Sequence, residues 1–391
     1  MVEYSRGAGA VELLGHVQNY DWGIVGEASL VAKLYNENGG AAMNESRPYA
    51  ELWMGTHASG PSHVKTPRNN QPQLLRDYLC QDLPFLFKVL SVAKALSIQA
   101  HPNRELAQRL HHAQPQHYKD ANHKPEMAIA LSDFEALCGF RTTREISGFA
   151  GQYPPFKALI GGDMDESTNG LKQAFTNLMN QDANAVQQAI AQMPQTGDDL
   201  IALFHRLNRQ YPGGDVGVFC VFFLHYICLK PGQAIFLAAN EPHAYLSGSC
   251  VECMATSDNV VRAGLTPKYR DVATLCEMLT YRQFASADEL LLQPKKMRPF
   301  ASVYESPVPE FSVMQINVPI EHEEELPGMG QSIVLCVSGS GRLVTDAAEY
   351  ALRAGTIVYL PENTTYKVVN SSTVSAENQS CLLYQAFQPS Q

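Results

Sequence analysis

The chain lacks an apolar run long enough to cross a bilayer. Its longest, Val216 to Leu229, is interrupted by His225 and falls short of the roughly 20 residues a spanning helix needs. Met1-Val-Glu-Tyr-Ser-Arg-Gly has no apolar signal core, so a cytoplasmic protein without a membrane partner is expected. Positive charge is scarce as well. The 29 Lys and Arg against 39 Asp and Glu leave a formal net charge of −10, which excludes a general nucleic-acid binder, whose footprint is basic. No block of like charge suggests an interaction tail. Nine cysteines are scattered unevenly, and Cys250-Val-Glu-Cys253 has no second CxxC to complete a zinc site. Reduced thiols are expected, with Cys250 and Cys253 as core residues on a strand.

What is present describes a globular protein. Of its 391 residues 45% are apolar and 17% charged, enough for a sizeable core in two or three domains. Three regimes follow along the chain. Residues 1–141 mix turns with β-rich runs such as Leu83-Pro-Phe-Leu-Phe-Lys-Val-Leu90 and Met127-Ala-Ile-Ala-Leu131, with helical character from Arg104 to Leu110 after Pro102-Asn103. Residues 142–212 change period: Leu171, Phe175, Leu178 and Met179, then Val186, Ile190 and Met193, then Leu200, Leu203, Phe204 and Leu207 fall at helical spacing. This predicts a helical insertion that serves for packing. After Tyr211-Pro-Gly-Gly-Asp215 the chain returns to β, although Val216 to His225 also reads as a buried helix by length and apolarity.

A weak internal repeat links residues 213–300 to 301–391. Leu229, Gly232, Leu237 and Asn240 recur as Leu352, Gly355, Leu360 and Asn363 at a constant offset of 123. His243 becomes Tyr366 in the second copy. The pattern predicts a mainly β protein with two jelly-roll barrels, one competent for a metal and one degenerate and structural.

Gln99 and His101 stand two apart in Leu96-Ser-Ile-Gln-Ala-His101, so on a strand they share a face. With Glu126 and the distant His243 they offer two imidazoles, a carboxylate and an amide. Such a mixed set favours zinc or a neighbouring transition ion over calcium or magnesium. The spacing is not that of a structural zinc finger, which points to a catalytic metal. Spacing alone does not single out Glu126 among the carboxylates. His111, His112 and His117 read as solvated, and His57, His63, His205 and His225 carry no assignable motif. Lys88, inside an otherwise apolar run, and Lys124, Arg262 and Lys268 suit a phosphorylated substrate if they share one cavity. The alternative is that each pairs with Glu51, Glu252 or Asp258.

Several segments resemble type I mannose-6-phosphate isomerases of the cupin superfamily, and the eukaryotic branch in particular. They are Pro48-Tyr-Ala-Glu-Leu-Trp-Met-Gly-Thr-His57, Leu83 to Leu90, Leu96-Ser-Ile-Gln-Ala-His-Pro-Asn103, Asn122-His-Lys-Pro-Glu-Met-Ala128, Glu241-Pro-His-Ala-Tyr-Leu246 and Asn259-Val-Val-Arg-Ala-Gly-Leu-Thr-Pro-Lys268. The similarity extends from Asn19-Tyr-Asp-Trp-Gly23 through the last barrel. The resemblance implies one zinc ion held by Gln99, His101, Glu126 and His243, with Arg262 catalytic. It also implies interconversion of mannose 6-phosphate and fructose 6-phosphate through a cis-enediol(ate), a reaction that feeds GDP-mannose and glycan synthesis. Glu252, which follows His243 on its strand, is the candidate base or the partner of a lysine, and Lys124 is a further candidate for catalysis. Lys88, Lys268, Asp258 and His123 are the expected substrate contacts. A monomer is expected, with the phosphosugar as its partner. A metal-dependent cupin oxygenase and a non-catalytic sugar-phosphate sensor remain as alternatives, which oxygen uptake and binding without turnover would separate.

Overall fold

The computed structural model describes residues 9–65, 73–371 and 380–389. One long strand, His243–Ala255, organises the first half. It pairs antiparallel with Phe85–Val92, Glu126–Ala130 and Phe134–Phe140, and through His243 opposite Gln99 with Ile98–Ala100. Phe85–Val92 is buried along its whole length, as expected of a strand covered on both faces. Its register sets Lys88 opposite Glu252, and Glu51–Met54 continues the sheet with Trp53 opposite Lys88. Side chains directly opposite share a face, so the two strands on either side of Lys88 gather polar groups around it.

The second half is a nine-stranded sheet backed by a four-stranded one. The large sheet runs from Lys295–Arg298 through Ala301–Tyr304, Ser312–Val318, Cys381–Phe387, Ser332–Ser338 and Ile357–Leu360, and then takes in Val11–Leu14 from the start of the chain. Val11 lies opposite Tyr359 and Leu13 opposite Ile357, so the N-terminal strand joins the C-terminal sheet, which His63–Val64 and Gln73–Leu74 continue. The four-stranded layer of His322–Leu326, Tyr366–Asn370, Ser340–Val344 and Glu349–Arg353 closes a core containing Leu326, Leu343, Val368, Val334 and Leu383. Another core joins the halves, with Val89, Ile129 and Val251 packed among Tyr304, Val313, Ile333 and Tyr384. The fold is mainly β, with neither large sheet closing into a ring among the described residues.

Five helices fill the expected helical segment: Thr143–Gln152, Pro154–Leu159, Thr168–Met179, Ala183–Gln192 and Asp199–Gln210. Their starts follow from local chemistry. Thr142 and Glu145 form a capping box, and Ser167, Asp182 and Asp198 accept hydrogen bonds from the first free backbone N–H groups. Leu171, Phe175, Val186, Phe204 and Leu207 are fully buried, as their spacing requires. The ambiguous Val216–Phe222 forms a 3-10 helix, and Leu224–Leu229 a strand. Tight packing explains the break: a Cβ on Gly217 would stand 2.6 Å from the Leu265 nitrogen. No helix among the described residues is long and apolar enough to cross a membrane. All nine cysteines are free thiols.

Candidate metal centre

Ile98–Ala100 is a three-residue strand set between the start of His243–Ala255 and Val261–Gly264. Gln99 therefore faces His243 on one side and Arg262 on the other. His101 follows the strand directly, and Glu126 opens its own strand behind Pro125. The Glu126 Oε2 atom lies 3.3 Å from His101 Nε2 and 3.5 Å from His243 Nε2, while Gln99 Nε2 lies 3.4 Å from His243 Nε2.

The hydrogen bonds behind the rings decide their tautomers. His101 Nδ1 is 2.7 Å from the Asn259 carbonyl oxygen, and His243 Nδ1 is 3.2 Å from that of Glu241. A carbonyl only accepts, so both Nδ1 atoms carry the proton and both Nε2 atoms present lone pairs. Burial pushes the His101 imidazole down to about 4, which leaves it neutral at neutral pH. Glu126, although burial raises it, is held well below the usual carboxylate range, with the Lys124 ammonium beside it. Two lone pairs and a carboxylate oxygen thus converge, and His101 Nε2 and Glu126 Oε2 are buried without a hydrogen bond. That arrangement is repulsive unless a cation sits among the three atoms. Ligand atoms about 2.1 Å from a tetrahedral zinc ion stand about 3.4 Å apart, which matches the separations found. Gln99 Oε1 accepts from Ser97 Oγ at 3.1 Å; a half-turn of the amide would present that oxygen to the same point. The residues present fit a zinc ion.

Gln99 and Glu126 also form part of the wall of a cavity of about 420 Å3. Its wall holds Lys88, Lys124, Arg262 and Lys268 together with Glu252 and Asp258. The four cations divide into two kinds. Lys124 Nζ is 3.0 Å from Glu126 Oε1, and Lys88 Nζ is 3.0 Å from Glu252 and 3.3 Å from Glu51. Burial works against the Lys88 charge, but the two carboxylates raise its pKa and keep it protonated. Burial raises the Glu252 carboxyl, partly offset by Lys88. Arg262, half-buried, and Lys268, with its ammonium 5.8 Å over the Tyr20 ring, have no carboxylate partner among the described residues. These two cations are available to an anion from outside.

Asp258 lies 3.4 Å from His57 Nε2, a contact that holds its carboxyl below the ordinary range. Among the expected substrate contacts His123 is the one that the fold does not bring to the cavity wall: its ring turns to Glu310, 2.7 Å away. Sequence reasoning missed Tyr245, Trp53, Lys94 and Tyr211, which all line the cavity. Tyr245 was within reach of a period-two argument from His243, and its buried hydroxyl has no hydrogen-bond partner. Trp53 comes from another strand, Lys94 from the bend after Phe85–Val92 and Tyr211 from the end of the helical segment, where no local pattern marks them.

Comparison with known proteins agrees with this architecture. The family model for the catalytic domain of type I phosphomannose isomerase matches residues 11–143, and that for the helical insertion domain of the same family matches residues 153–224. The mannose-6-phosphate isomerase of Bos taurus is 43% identical over 390 residues, covering 89% of this chain and 92% of that protein. Mannose-6-phosphate isomerase 2 of Arabidopsis thaliana is 40% identical, over 92% of this chain and 90% of its own length. The crystal structure of the Salmonella typhimurium mannose 6-phosphate isomerase bound to fructose 6-phosphate and zinc superimposes with a TM-score of 0.83 at 29% identity, covering 98% of this chain and all of that one. The animal and plant relatives are closer in sequence than this bacterial protein.

Proposed function

The chain belongs to the type I phosphomannose isomerase family, and we propose that it interconverts mannose 6-phosphate and fructose 6-phosphate at one zinc ion held by Gln99, His101, Glu126 and His243. One observation carries this reading: unpartnered donors of a metal site adjoin a cavity in which Arg262 and Lys268 have no carboxylate partner among the described residues. A phosphorylated sugar would supply what both ends lack.

In the open-chain aldose a base removes the C2 proton, leaving a cis-enediolate. That proton or its replacement is delivered to C1, and a proton passes from O2 to O1, giving the ketose. When bound, the zinc ion acts as a Lewis acid that stabilises the charge growing on the enediolate oxygen, a contribution of several kcal/mol. Glu252 is the proposed proton carrier, because burial raises its carboxyl and makes it a stronger base than an ordinary carboxylate. Lys88, anchored to both Glu252 and Glu51, keeps it aimed and reaches a substrate oxygen. Lys124 donates to Glu126 and toward the sugar hydroxyls, with Asp258 as an acceptor for another. Arg262 faces the enediolate and Lys268 the phosphate, where a planar fork and a point charge respectively suit an anion. His123 contributes through the loop it shares with Lys124, since its ring is engaged with Glu310.

The domain division that goes with this reading assigns 1–141 and 213–300 to catalysis, 142–212 to the helical insertion and 301–391 to a degenerate barrel. The setting proposed is a cytoplasmic monomer without nucleic-acid or membrane partners, supported by the net charge of −10 and the free thiols. A coupled isomerase assay with zinc analysis tests the whole. Turnover is expected to vanish on chelation and return with zinc; undiminished turnover in a chain stripped of metal would overturn the mechanism.

A further inference from the structure

Glu310 precedes strand Ser312–Val318 of the C-terminal sheet, yet its carboxylate is spent in the first half of the molecule. Its Oε1 atom accepts from His123 Nε2 at 2.7 Å and from Arg104 Nη2 at 2.6 Å, and the residue is only 9% exposed. Its other oxygen, Oε2, is buried without a partner. A carboxylate taken out of water at such a cost persists where its geometry is needed.

The segment it grips is the loop that carries Lys124. On the upstream side, Asn259 Nδ2 donates to the Asp120 carbonyl at 2.6 Å and the Asn122 carbonyl at 2.9 Å, and Asn122 Nδ2 donates to the Thr256 carbonyl at 3.0 Å. Asn259 also offers the carbonyl that holds His101. Downstream, Lys124 reaches Glu126. Between these anchors the side chain of His123 is tied to other parts of the protein: its Nε2 stands 2.7 Å from Glu310 Oε1 and 2.9 Å from the Arg104 guanidinium, which Glu310 itself holds. His123 and Lys124 are neighbours in the chain whose side chains end apart, one at Glu310 and the other at Glu126. Fixing the His123 ring on the outside therefore fixes the direction in which Lys124 leaves on the inside.

We propose that Glu310, supplied by the otherwise non-catalytic C-terminal half, is a positioning residue that holds the Lys124 ammonium in its working place through His123. The inference rests on the isomerase reading above and adds a role for the second half of the chain. A misplacement of about 1 Å in a catalytic group can cost about 100-fold in rate, so a long-range brace of this kind has kinetic weight even though it touches no substrate.

The test is a double-mutant cycle on the zinc-loaded full chain, with Glu310→Ala, Glu310→Gln, Lys124→Ala and the corresponding pairs. Glu310→Ala is expected to lower kcat about tenfold or more, with KM within about twofold and zinc still at one per chain. In the Lys124→Ala background the same change is expected to alter kcat less than about twofold, because the group being positioned is gone. Glu310→Gln preserves volume and one acceptor and is expected to fall between wild type and Glu310→Ala. It carries the cycle should the alanine variant fail to fold. Equal fold-losses in both backgrounds would reduce Glu310 to a general stabiliser and overturn the inference. So would wild-type kcat in both Glu310 variants. A wild-type chain with no isomerase turnover would instead overturn the functional reading, and this one with it.

Discussion

The two copies of the internal repeat share a backbone and part ways at one side chain. Strand Ala234–Leu237 and strand Ile357–Leu360 stand in the same relation as the repeated letters. Gly232 and Gly355 both have φ of +85°, and Asn240 and Asn363 have φ of +63° and +61°. Glycine and asparagine tolerate that left-handed region best, which explains why these residues recur. At the next comparable position the first copy has His243 and the second Tyr366, both buried. His243 directs its Nε2 lone pair at Glu126 Oε2, 3.5 Å away. Tyr366 donates its hydroxyl to Gln385 Oε1 at 2.6 Å, and Gln385 Nε2 donates onward to Ser332 Oγ at 2.9 Å. One copy keeps its polar atoms open to a ligand, and the other satisfies them internally. The turn decides where a side chain enters the core; what faces it across the sheet decides whether a site results.

The comparison can be broken most forcefully at His243. His243→Ala should remove zinc and lower kcat by about 10³-fold or more, the equivalent of losing about 4 kcal/mol of transition-state stabilisation. Tyr366→His should bind no zinc beyond the one ion of the first site by metal analysis, because the only group of three facing donors among the described residues is His101, Glu126 and His243. Zinc uptake by a chain carrying both changes would show that the turn alone builds a site.

The glycines come next. Alanine at either meets the strain of a positive φ, about 1–2 kcal/mol. At Gly232 the added Cβ would find nothing closer than 3.6 Å, whereas at Gly355 it would stand 2.3 Å from the Leu34 carbonyl oxygen. Gly355→Ala should therefore be the more destabilising in denaturant titrations, by about 1–3 kcal/mol. Equal losses would mean that the two turns are packed alike. Tyr366→Phe should cost about 1–3 kcal/mol by orphaning the buried Gln385 oxygen, while leaving turnover unchanged. Loss of activity there would assign the second copy a part in the chemistry.

The smallest effect concerns the helical segment, which only the first copy carries. Arg206 on helix Asp199–Gln210 pairs with Glu135 at 2.7 Å, beside hydrogen bonds from Tyr226 and Ser247. Burial alone would raise the Glu135 carboxyl, but these partners hold it below its usual value. Its contribution is thus fully present above the unfolded-state value, about 4.3, and is lost as pH falls through the lower folded-state one. Glu135→Gln should flatten the acid limb of stability measured against pH. An unchanged limb would show the carboxylate to be dispensable to the junction.

Much of this was legible in the residues. Gly232, Asn240 and their counterparts announced the repeated turn because left-handed backbone restricts which residues fit. The helical segment was readable from apolar spacing. Gln99 and His101 could be paired on a strand by period alone, although choosing Glu126 needed the family resemblance. Val216–Phe222 was not legible, since an all-apolar run carries no period and its form is set by the close approach of Gly217 to Leu265. Nor was His123, whose neighbour Glu310 lies far along the chain.

By itself, then, the sequence determined most of the elements and the pairing of Gln99 with His101, because turn chemistry and side-chain period act over a few residues. Tertiary structure alone decided which donors face one another and which are spent. Lys88 is committed to Glu51 and Glu252 while Arg262 pairs with no carboxylate among the described residues, and Val11–Leu14 joins a sheet more than three hundred residues downstream. Those outcomes depend on strand register and on the packing of distant segments, where a shift of one residue turns every side chain to the other face.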